Sequence, residues 1–510
     1  MITSTPAGET IVPGRAARLV LGQSGLAFIS ARGQPAVPER PTAHYDELAG
    51  VELAGAHVRL RFTTPGPEWD FVAVSPEAAQ WAGEFLLSLQ AAAQARRAAM
   101  KKPELDAVAT QLETLLSPQA PQVAAAAEYL LAAAAGLRAT DVHVVPAGGK
   151  TVVRLRIDGL LHQVAALEPE VAADLQRRLK AMANLPSYIT DSPQYGRLTL
   201  ALGEGVVDAR LTATPAVGGE ALALRLLGAS DGELTLDRLG LEAEQQEFLE
   251  ALPRSTGLVV FTGPAGSGKT TTMYALAERA LETRQDLAVV TVEEPPERAL
   301  AGATQLDVRA LGGRWDEALQ AALRLDPSVL VLGEIRDGQT AALAGHAALS
   351  GHLLLTTMHA GTVAEVPPRL LQLGVPPSVV ASGLRVVVAQ RLLRRVCPSC
   401  SVPDTPSPDL LAAVGAAAQP GAPFARGRGC AECAGTGLRG RVAVFELMPV
   451  TEALRRLILA SAPAEEYARL GGALPGPTLR VAALAKAARG EVPLAEVLDV
   501  LGPVGGDSNA

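Results

Sequence analysis

One glycine-rich octapeptide constrains this chain more than any other stretch. It reads Gly-Pro-Ala-Gly-Ser-Gly-Lys-Thr over residues 263–270, and it fits the P-loop pattern G-x-x-x-x-G-K-[ST]. The apolar run 257–262 before it predicts a buried strand, and the run 271–284 after it predicts a helix. In this order, the backbone N–H groups of the loop and the N-terminus of the helix form a binding site for phosphate.

The P-loop pattern also assigns roles to side chains. We expect Lys269 to reach the β- and γ-phosphates of a nucleotide, and the Thr270 hydroxyl to ligate Mg²⁺. The alternative is a glycine-rich turn without a ligand, which the flanking strand and helix disfavour. The residues predicted to bind ATP are Gly263, Pro264, Ala265, Gly266, Ser267, Gly268, Lys269, Thr270 and Thr271.

Further apolar runs after the P-loop end in residues that suit phosphoryl transfer. Residues 287–293 predict a strand that ends in the acidic run Glu293-Glu294-Pro295-Pro296-Glu297. Residues 329–334 have the Walker B form, an apolar strand that ends in Glu334. A carboxylate at the carboxyl end of such a strand can hold Mg²⁺ through water or activate the attacking water. The alternative is an edge-strand glutamate without a role.

Two histidines, His352 and His359, bracket a third apolar run at residues 353–357. A lone histidine is often structural, but here we favour contact with the γ-phosphate or its neighbours. Helices predicted at 315–325 and 340–349 alternate with these strands. The alternation predicts an α/β fold with a doubly wound parallel sheet.

The chain has four cysteines, arranged as two C-x-x-C pairs: Cys397 with Cys400, and Cys430 with Cys433. Four thiolates in two such pairs are the tetrahedral ligand set of structural Zn²⁺. The alternatives are a redox C-x-x-C and four unrelated buried thiols. Nothing around either pair resembles a thioredoxin unit, so the pattern predicts a zinc module inserted after the nucleotide-binding sheet.

The sequence before residue 231 predicts two smaller domains. Residues 1–100 contain several short strands and one helix beginning at Ser75-Pro76, a weak resemblance to a pleckstrin-homology-like module that favours docking to a partner. Residues 121–230 predict an α/β domain in which Arg210 and Arg225 project from strands. The predicted domains are 1–100 (β-rich docking), 101–120 (linker), 121–230 (second α/β), 231–390 (ATPase core), 391–445 (zinc module) and 446–510 (helical region and tail).

Composition narrows the class of protein. Net charge is −8 and aromatic residues are 3% of the chain, which argues against a general nucleic-acid or anionic-membrane binder. We find no pattern typical of a signal peptide or a transmembrane span. The expectation is a cytoplasmic protein with a largely aliphatic core and without direct membrane insertion.

Taken together, these motifs resemble the type II secretion and type IV pilus assembly ATPases, the GspE/PilB branch of the secretion ATPases. The resemblance covers roughly residues 121–500. It rests on the P-loop, on residues 291–297 (similar to the family's Asp box), on 330–337 (Walker B), on 350–359 (His box), on Gln390-Arg391-Leu392 and on the four cysteines. Retraction ATPases share the motor but lack the cysteine module, so the resemblance favours the assembly or secretion side.

The resemblance implies a RecA-like P-loop motor in a homohexamer that hydrolyses Mg-ATP and drives an inner-membrane platform protein from the cytoplasmic face of the membrane. It implies ATP, Mg²⁺ and Zn²⁺ as cofactors, and no nucleic-acid partner. The catalytic residues it implies are Glu334, Lys269, Arg210, Arg225, Glu294, Glu297 and His359.

The chain also departs from the family's pattern. Glu294 stands where Asp is usual, Ala360-Gly361 where Thr-Asn is common, and Tyr195 where Asp is common. The usual Gln before Asp326 and the usual arginine before Pro193 are missing too. These departures suggest a slower member, and they motivate an alternative: an ATP-binding scaffold subunit that does not hydrolyse. A DNA-translocating ATPase is a third possibility, disfavoured by the acidic charge and the cysteines.

Overall fold

In a computed structural model of the protein, the described residues are seven strands between Glu9 and Val72 and the segments 105–117, 121–202, 205–227, 235–284, 286–415, 422–470 and 476–504. The chain divides into two compact units, Met1–Ala229 and Ser230–Ala510. The helix predicted to begin at Ser75-Pro76 lies outside the described residues. Among the described residues, no helix is both long and apolar enough to cross a bilayer.

The first unit begins with an antiparallel sheet of seven strands, in the order β4-β3-β2-β1-β7-β6-β5. The prediction of a β-rich N-terminal region is therefore confirmed. Its strands are β1 (Glu9–Val12), β2 (Arg15–Leu21), β3 (Gly25–Ser30), β4 (Thr42–His44), β5 (Leu48–Ala54), β6 (His57–Phe62) and β7 (Trp69–Val72).

The second sheet of this unit is also antiparallel, with six strands in the order β10-β9-β8-β13-β12-β11. Its strands are β8 (Ala139–Ala147), β9 (Lys150–Ile157), β10 (Leu160–Leu167), β11 (Gln194–Leu202), β12 (Gly205–Ala216) and β13 (Gly219–Leu227). In the described part of this unit, three helices accompany it: α1 (Leu105–Leu115), α2 (Val123–Gly136) and α3 (Pro169–Met182). Asp158 and Gly159 join β9 to β10 with φ of 47° and 89°, the two-residue turn for which Asp-Gly is suited.

Alternation along each strand gives this sheet two different faces. In β12, Ala209, Leu211 and Ala213 are buried in a core shared with the helices, whereas Asp208 and Arg210 point to the opposite face. Helix α1 lies within the predicted linker 101–120, and its Val108 and Leu112 are buried in the same core. This part of the predicted linker therefore belongs to the packed domain.

The second unit is built on a sheet of seven strands in the order β16-β15-β17-β18-β14-β19-β22. Six of these strands are parallel, and β22 is antiparallel to β19 at one edge. The sheet strands are β14 (Gly257–Thr262), β15 (Val289–Glu293), β16 (Thr304–Asp307), β17 (Val329–Leu332), β18 (Leu353–Met358), β19 (Leu384–Val396) and β22 (Leu438–Pro449). The predicted all-parallel sheet is thus extended by one returning edge strand, a common addition to parallel sheets.

Both faces of this sheet are covered, because alternate strand residues enter different cores. Leu258 and Val260 of β14 belong to one hydrophobic cluster, and Val259 and Phe261 to another. The helices are α4 (Ala243–Ala251), α5 (Lys269–Thr283), α6 (Trp315–Leu323), α7 (Gly338–Leu349), α8 (Val366–Gln372), α9 (Pro377–Gly383), α10 (Pro408–Val414), α11 (Glu452–Leu459), α12 (Ala464–Arg469), α13 (Leu479–Ala488) and α14 (Leu494–Leu501). The predicted α/β fold with a doubly wound sheet is confirmed.

The cysteines lie in the excursion between β19 and β22. Two short strands, β20 (Ser401–Pro403) and β21 (Ala425–Gly427), pair within it. The long strands β19 and β22 run from the main sheet to the cysteines, and Gln390 and Arg391 lie in the middle of β19. The ATPase core and the cysteine module therefore share two continuous strands, and the predicted boundary between residues 390 and 391 falls inside one of them.

Candidate functional site

The P-loop follows the carboxyl end of β14 and opens helix α5 at Lys269. Three glycines of the loop have positive φ: 147° at Gly263, 76° at Gly266 and 88° at Gly268. Two of them also lack room for a side chain. A Cβ at Gly263 would lie 2.6 Å from Gln390 O, and one at Gly268 would lie 2.7 Å from Gln390 Nε2. Glycine is required here both by backbone conformation and by close packing.

Lys269 is buried at the first position of α5, and its Nζ donates to Gly263 O at 2.8 Å and to Pro264 O at 2.9 Å. Burial lowers the pKa of Lys269, and the Arg391 charge lowers it further, whereas Glu334 acts in the opposite direction. The lysine head is therefore held inside the loop, within electrostatic reach of Glu334. Thr270 follows it on the first turn of the helix.

Gln390 and Arg391 support the loop from β19, a role that the sequence analysis did not assign. The Gln390 side chain is buried and accepts a hydrogen bond from Thr272 Oγ1 of α5 at 2.8 Å. Arg391 donates to Gln390 O at 3.0 Å and to Gly361 O at 2.6 Å. Burial lowers the pKa of Arg391. The P-loop thus rests on a polar pair from a strand more than a hundred residues later.

Glu334 follows the carboxyl end of β17, at the same edge of the sheet as the P-loop. Arg336 donates to its Oε1, and His359 Nε2 lies 3.8 Å from its Oε2. The loops that carry these residues are joined to each other. Thr262 Oγ1 donates to Ala360 O at 2.9 Å, and Thr357 Oγ1 donates to Gly333 O at 2.8 Å. The predicted P-loop, Walker B acid and His359 are therefore brought together by the sheet.

The acidic run after β15 lies beside this site. Val292 pairs with Leu332 in the parallel register, so Glu293 is level with Gly333. Glu293 is buried and accepts a hydrogen bond from Tyr274 Oη of α5. Glu294 Oε2 accepts a hydrogen bond from Trp315 Nε1 at 3.1 Å. The hydrogen bond and charge of Glu334 raise the pKa of Arg336, the Glu294 charge adds a smaller increase, and burial acts in the opposite direction. Three predicted acidic residues, Glu294, Glu297 and Glu334, thus lie on neighbouring loops.

The prediction for His352 is wrong. This residue precedes β18 at the amino ends of the parallel strands, the edge opposite to the P-loop, and its Nδ1 lies 2.6 Å from Pro327 O. A strand of six residues separates the two histidines, so only His359 is at the carboxyl edge. His352 therefore lies away from the P-loop, next to the backbone of Pro327.

Arg210 and Arg225 lie opposite each other on β12 and β13 of the first unit, on the sheet face that points away from the helices. Arg197 of β11 lies opposite Arg210, which extends the row by one arginine that the sequence analysis did not assign. Arg225 Nε is 3.2 Å from Asp141 Oδ1, and Arg197 Nη2 is 2.9 Å from Asp208 Oδ2. We call Arg197, Arg210 and Arg225 the arginine row.

The four cysteines come together as predicted. Their Sγ atoms all lie within 4.8 Å of one another, with 3.9 Å between Cys397 and Cys430, 3.8 Å between Cys400 and Cys433, and 3.7 Å between Cys430 and Cys433. Tetrahedral Zn²⁺ with bonds of about 2.3 Å requires sulfur atoms about 3.8 Å apart, so the spacing fits zinc.

The backbone around the cluster also suits a bound metal. Cys433 Sγ accepts the N–H groups of Cys430 and Gly437, each at 3.2 Å. Burial by itself raises the pKa of Cys433, but these N–H groups and the Cys430 and Cys400 side chains lower it to about 7, whereas burial raises the pKa of Cys397 and Cys400. The backbone therefore favours the thiolate of Cys433, which is the form that binds metal.

Comparison with known proteins assigns the family. Residues 119–499 match the family model described as "Type II/IV secretion system protein". The chain is 38% identical over 348 residues to the protein transport protein HofB homolog of Escherichia coli K12, covering 66% of this chain and 72% of that protein. It is 37% identical to type II secretion system protein E of Pseudomonas aeruginosa (71% and 72% covered) and 36% identical to the type IV pilus assembly ATPase PilB of Myxococcus xanthus (72% and 65% covered).

Solved structures agree on the fold. The ATPase DotB of Legionella pneumophila has a TM-score of 0.55 at 20% identity, covering 72% of this chain and 93% of that one. The pilus retraction motor PilT with bound ADP has a TM-score of 0.50 at 24% identity, covering 72% and 95%. The chain belongs to the type II/IV secretion system protein family and is one of its ATPases.

Proposed function

We propose that this ATPase binds Mg-ATP at the P-loop, hydrolyses it in a homohexameric ring, and so powers type II secretion or type IV pilus assembly. One observation carries the chemical part of this proposal: the P-loop, Glu334 and the acidic run 293–297 follow the parallel strands β14, β17 and β15, at the same edge of one sheet. Crevices at this edge of α/β sheets are where such folds bind their ligands.

The residues divide the work of phosphoryl transfer. The loop amides and Lys269 bind the β- and γ-phosphates, and Thr270 with the neighbouring carboxylates would hold Mg²⁺. The bound metal would neutralise charge that develops on the phosphate oxygens. Glu334 orients a water molecule for in-line attack and accepts its proton, while the bond from the γ-phosphorus to the bridging oxygen breaks. Because Arg336 already bonds Glu334, the carboxylate has a fixed position.

The arginine row would supply positive charge to the γ-phosphate, as the family's arginines do. Three arginines opposite one another on a sheet repel, which is unfavourable unless anions balance them. Asp208 pairs with Arg197 and Asp141 pairs with Arg225, so acidic residues already balance part of this charge. The negative charge that develops on the γ-phosphate in the transition state suits this surface, and one arginine of this kind contributes about 10³–10⁵ to rate in phosphoryl-transfer enzymes.

The cysteine cluster would hold structural Zn²⁺. All four ligand positions are filled by protein sulfur atoms, which leaves no position for a substrate and suits a structural site. The ion would fix the ends of β19 and β22 together, and β19 is the strand that carries Gln390 and Arg391 behind the P-loop.

The cellular role follows from the relatives. Their names include a protein transport protein, type II secretion proteins and type IV pilus assembly ATPases. We propose the same setting for this chain: a cytoplasmic ring at the inner face of the membrane, acting on a platform protein. The alternative of a scaffold that does not hydrolyse ATP is not favoured, because Lys269, Thr270 and Glu334 are all present.

The first prediction tests hydrolysis and its acid. Mg²⁺-dependent phosphate release from ATP is measured for wild type, Glu334→Gln and Lys269→Ala, at a concentration where particle mass shows a ring. We expect Glu334→Gln to lower kcat at least about 10²-fold while ATP still binds, because it removes the base. Lys269→Ala should lose binding itself.

Glu317→Gln is the matched control, since Glu317 is an exposed glutamate of α6 that pairs with Arg314. Its turnover should equal that of wild type. Glu334→Gln turnover within a factor of about two of wild type would contradict the assignment of the acid. If neither wild type nor any variant hydrolyses ATP although the ring and zinc are present, the protein is a non-hydrolysing scaffold or a motor that is inactive without its membrane partner.

A further inference from the structure

We propose that Tyr274 is a positioning residue whose hydroxyl fixes the acidic loop, residues 293–297, to the P-loop helix, and that ATP turnover depends on this attachment. The inference rests on the proposed hydrolysis of ATP. It assigns a function to two buried polar residues, Tyr274 and Glu293, that the mechanism above does not use.

Tyr274 makes one hydrogen bond to each end of the acidic loop. Its Oη donates to Glu293 Oε2 where the loop begins, and it accepts the Glu297 N–H at 3.3 Å where the loop ends. Tyr274 is the sixth residue of α5, the helix that opens with Lys269. One hydroxyl therefore links both ends of the loop to the helix that carries the P-loop lysine.

The composition of the loop makes this attachment important. Pro295 and Pro296 have no N–H group, so the Glu297 amide is the first donor after Glu294 that can fix the backbone. Between the two attached ends, Glu294 accepts a hydrogen bond from Trp315 Nε1. The Trp315 ring also packs against Gly333, where a Cβ would lie 3.1 Å from its Cη2. The acidic loop is thus held next to the residue that precedes Glu334.

A purely structural role would be met more simply by apolar residues. Tyr274 and Glu293 are 1% and 3% exposed, and the residues on either side of Tyr274 in α5, Met273 and Ala275, belong to a hydrophobic cluster. Burying a carboxylate is costly unless it is fully bonded, yet Glu293 Oε1 has no hydrogen-bond partner among the described residues. A buried polar pair at the start of the acidic loop is therefore better explained by a role in positioning that loop than by a contribution to stability.

The tyrosine is also well suited to act as a permanent donor. Burial raises its pKa, and the Glu293 charge and hydrogen bond raise it further, so the phenol stays neutral at physiological pH. On the outer side, the Arg298 guanidinium lies 5.0 Å from the ring centroid and pairs with Glu278 of the same helix. Arg298 therefore contacts the face of the Tyr274 ring, while the Tyr274 hydroxyl bonds Glu293 and the Glu297 N–H.

The test is Tyr274→Phe in the full-length protein, which removes the hydroxyl and keeps the ring under Arg298. If the hydroxyl positions the acidic loop, kcat for ATP should fall about tenfold while KM stays within about twofold, because the P-loop remains intact and misplacement of catalytic groups by 1 Å is costly. Tyr467→Phe is the matched control. Tyr467 is equally buried, and its hydroxyl has no hydrogen-bond partner in the part of the chain that the structure describes; its removal should leave kcat unchanged.

Two further readouts separate positioning from stability. Glu293→Gln keeps an acceptor for the Tyr274 hydroxyl, so it should retain more kcat than Glu293→Ala. In a Trp69→Phe/Trp81→Phe background, Trp315 is the remaining tryptophan of the chain. Its emission should change with Tyr274→Phe, because its indole N–H bonds Glu294.

The outcomes are distinct. An unchanged kcat with a lowered melting temperature in Tyr274→Phe would overturn the inference and leave a structural residue. Equal losses in Tyr274→Phe and Tyr467→Phe would overturn it too, because any buried hydroxyl would then suffice. Absence of turnover in the wild type is a failure of the proposed function instead; the Trp315 emission then still decides whether the hydroxyl positions the loop.

Discussion

At the scale of single residues, two glycines of the P-loop differ in their surroundings although both have positive φ. At Gly268 (φ 88°) a Cβ would lie 2.7 Å from Gln390 Nε2, whereas at Gly266 (φ 76°) nothing lies within 4 Å. Gln390 cannot easily move, since it is buried and bonded to Thr272. The backbone cost of a left-handed residue is thus common to both positions, and the steric cost belongs to Gly268 alone.

We therefore predict that Gly268→Ala weakens ATP binding much more than Gly266→Ala. A left-handed alanine costs about 1–2 kcal/mol at either position. The additional displacement of Gln390 should raise the Kd for ATP of Gly268→Ala at least about tenfold above that of Gly266→Ala, which is about 1.4 kcal/mol. A fluorescent ATP analogue measures both Kd values. Equal Kd values for the two variants would contradict the steric argument.

At the scale of elements, β19 and β22 connect the cysteine cluster with the P-loop. β19 carries Gln390 and Arg391 against the loop and ends beside Cys397, while β22 begins shortly after Cys433. In the cluster, backbone N–H groups bond the Cys433 sulfur. A metal at the cysteines would therefore hold the end of β22 to the end of β19, the strand that supports the nucleotide site.

We predict one Zn²⁺ per chain and a loss of stability when it is removed. Cys433→Ser should abolish zinc and lower the melting temperature by about 10 °C, because metal-binding free energy contributes directly to folding. Zinc content by elemental analysis and thermal unfolding measure this. Ser399→Ala, an exposed change between the first two cysteines, is the control and should keep the metal.

Thiol titration gives a second check, since the chain has no cysteines beyond these four. All four thiols should react after chelation and resist reaction before it. Four thiols that react equally with and without a chelator would contradict the zinc site.

At the scale of the whole molecule, the groups proposed for ATP hydrolysis are divided between two compact units. The P-loop and the acids belong to the second unit, and the arginine row belongs to the first. If turnover needs both units and a ring, kcat should depend on protein concentration and on the arginines, while ATP binding should depend on the second unit alone.

We accordingly predict that Arg210→Ala and Arg225→Ala lower kcat about 10³-fold or more while changing the Kd for ATP little, because the lost charge acts on the transition state. Arg177→Ala is the control, since Arg177 is an exposed arginine of α3 that pairs with Asp174. Phosphate release and particle mass, measured over a range of concentrations, check the prediction. Normal turnover in both variants would exclude the arginine row from the reaction.

Patterns confined to short stretches of sequence predicted much of this protein. The P-loop, the Glu334 strand and the two C-x-x-C pairs are all predicted from neighbouring residues, because loop conformation, strand alternation and ligand spacing are local properties. They were sufficient for the α/β fold class, the nucleotide-binding loop and the grouping of the cysteines. The same local reasoning misplaced His352. Local sequence does not show which end of a strand lies at the edge of the sheet that carries the P-loop; the parallel pairing of β18 with β14 shows it.

The tertiary structure alone decided which distant side chains meet. Tyr274 bonds Glu293 across 19 residues, Gln390 bonds Thr272 across 118, and the arginine row joins three strands in one register. None of these contacts has a local signature, because strand register and the packing of helices on a sheet are set by the whole core. The sequence by itself determined the P-loop and the pairing of the four cysteines, and the packing of the sheet decided which residues hold them in place.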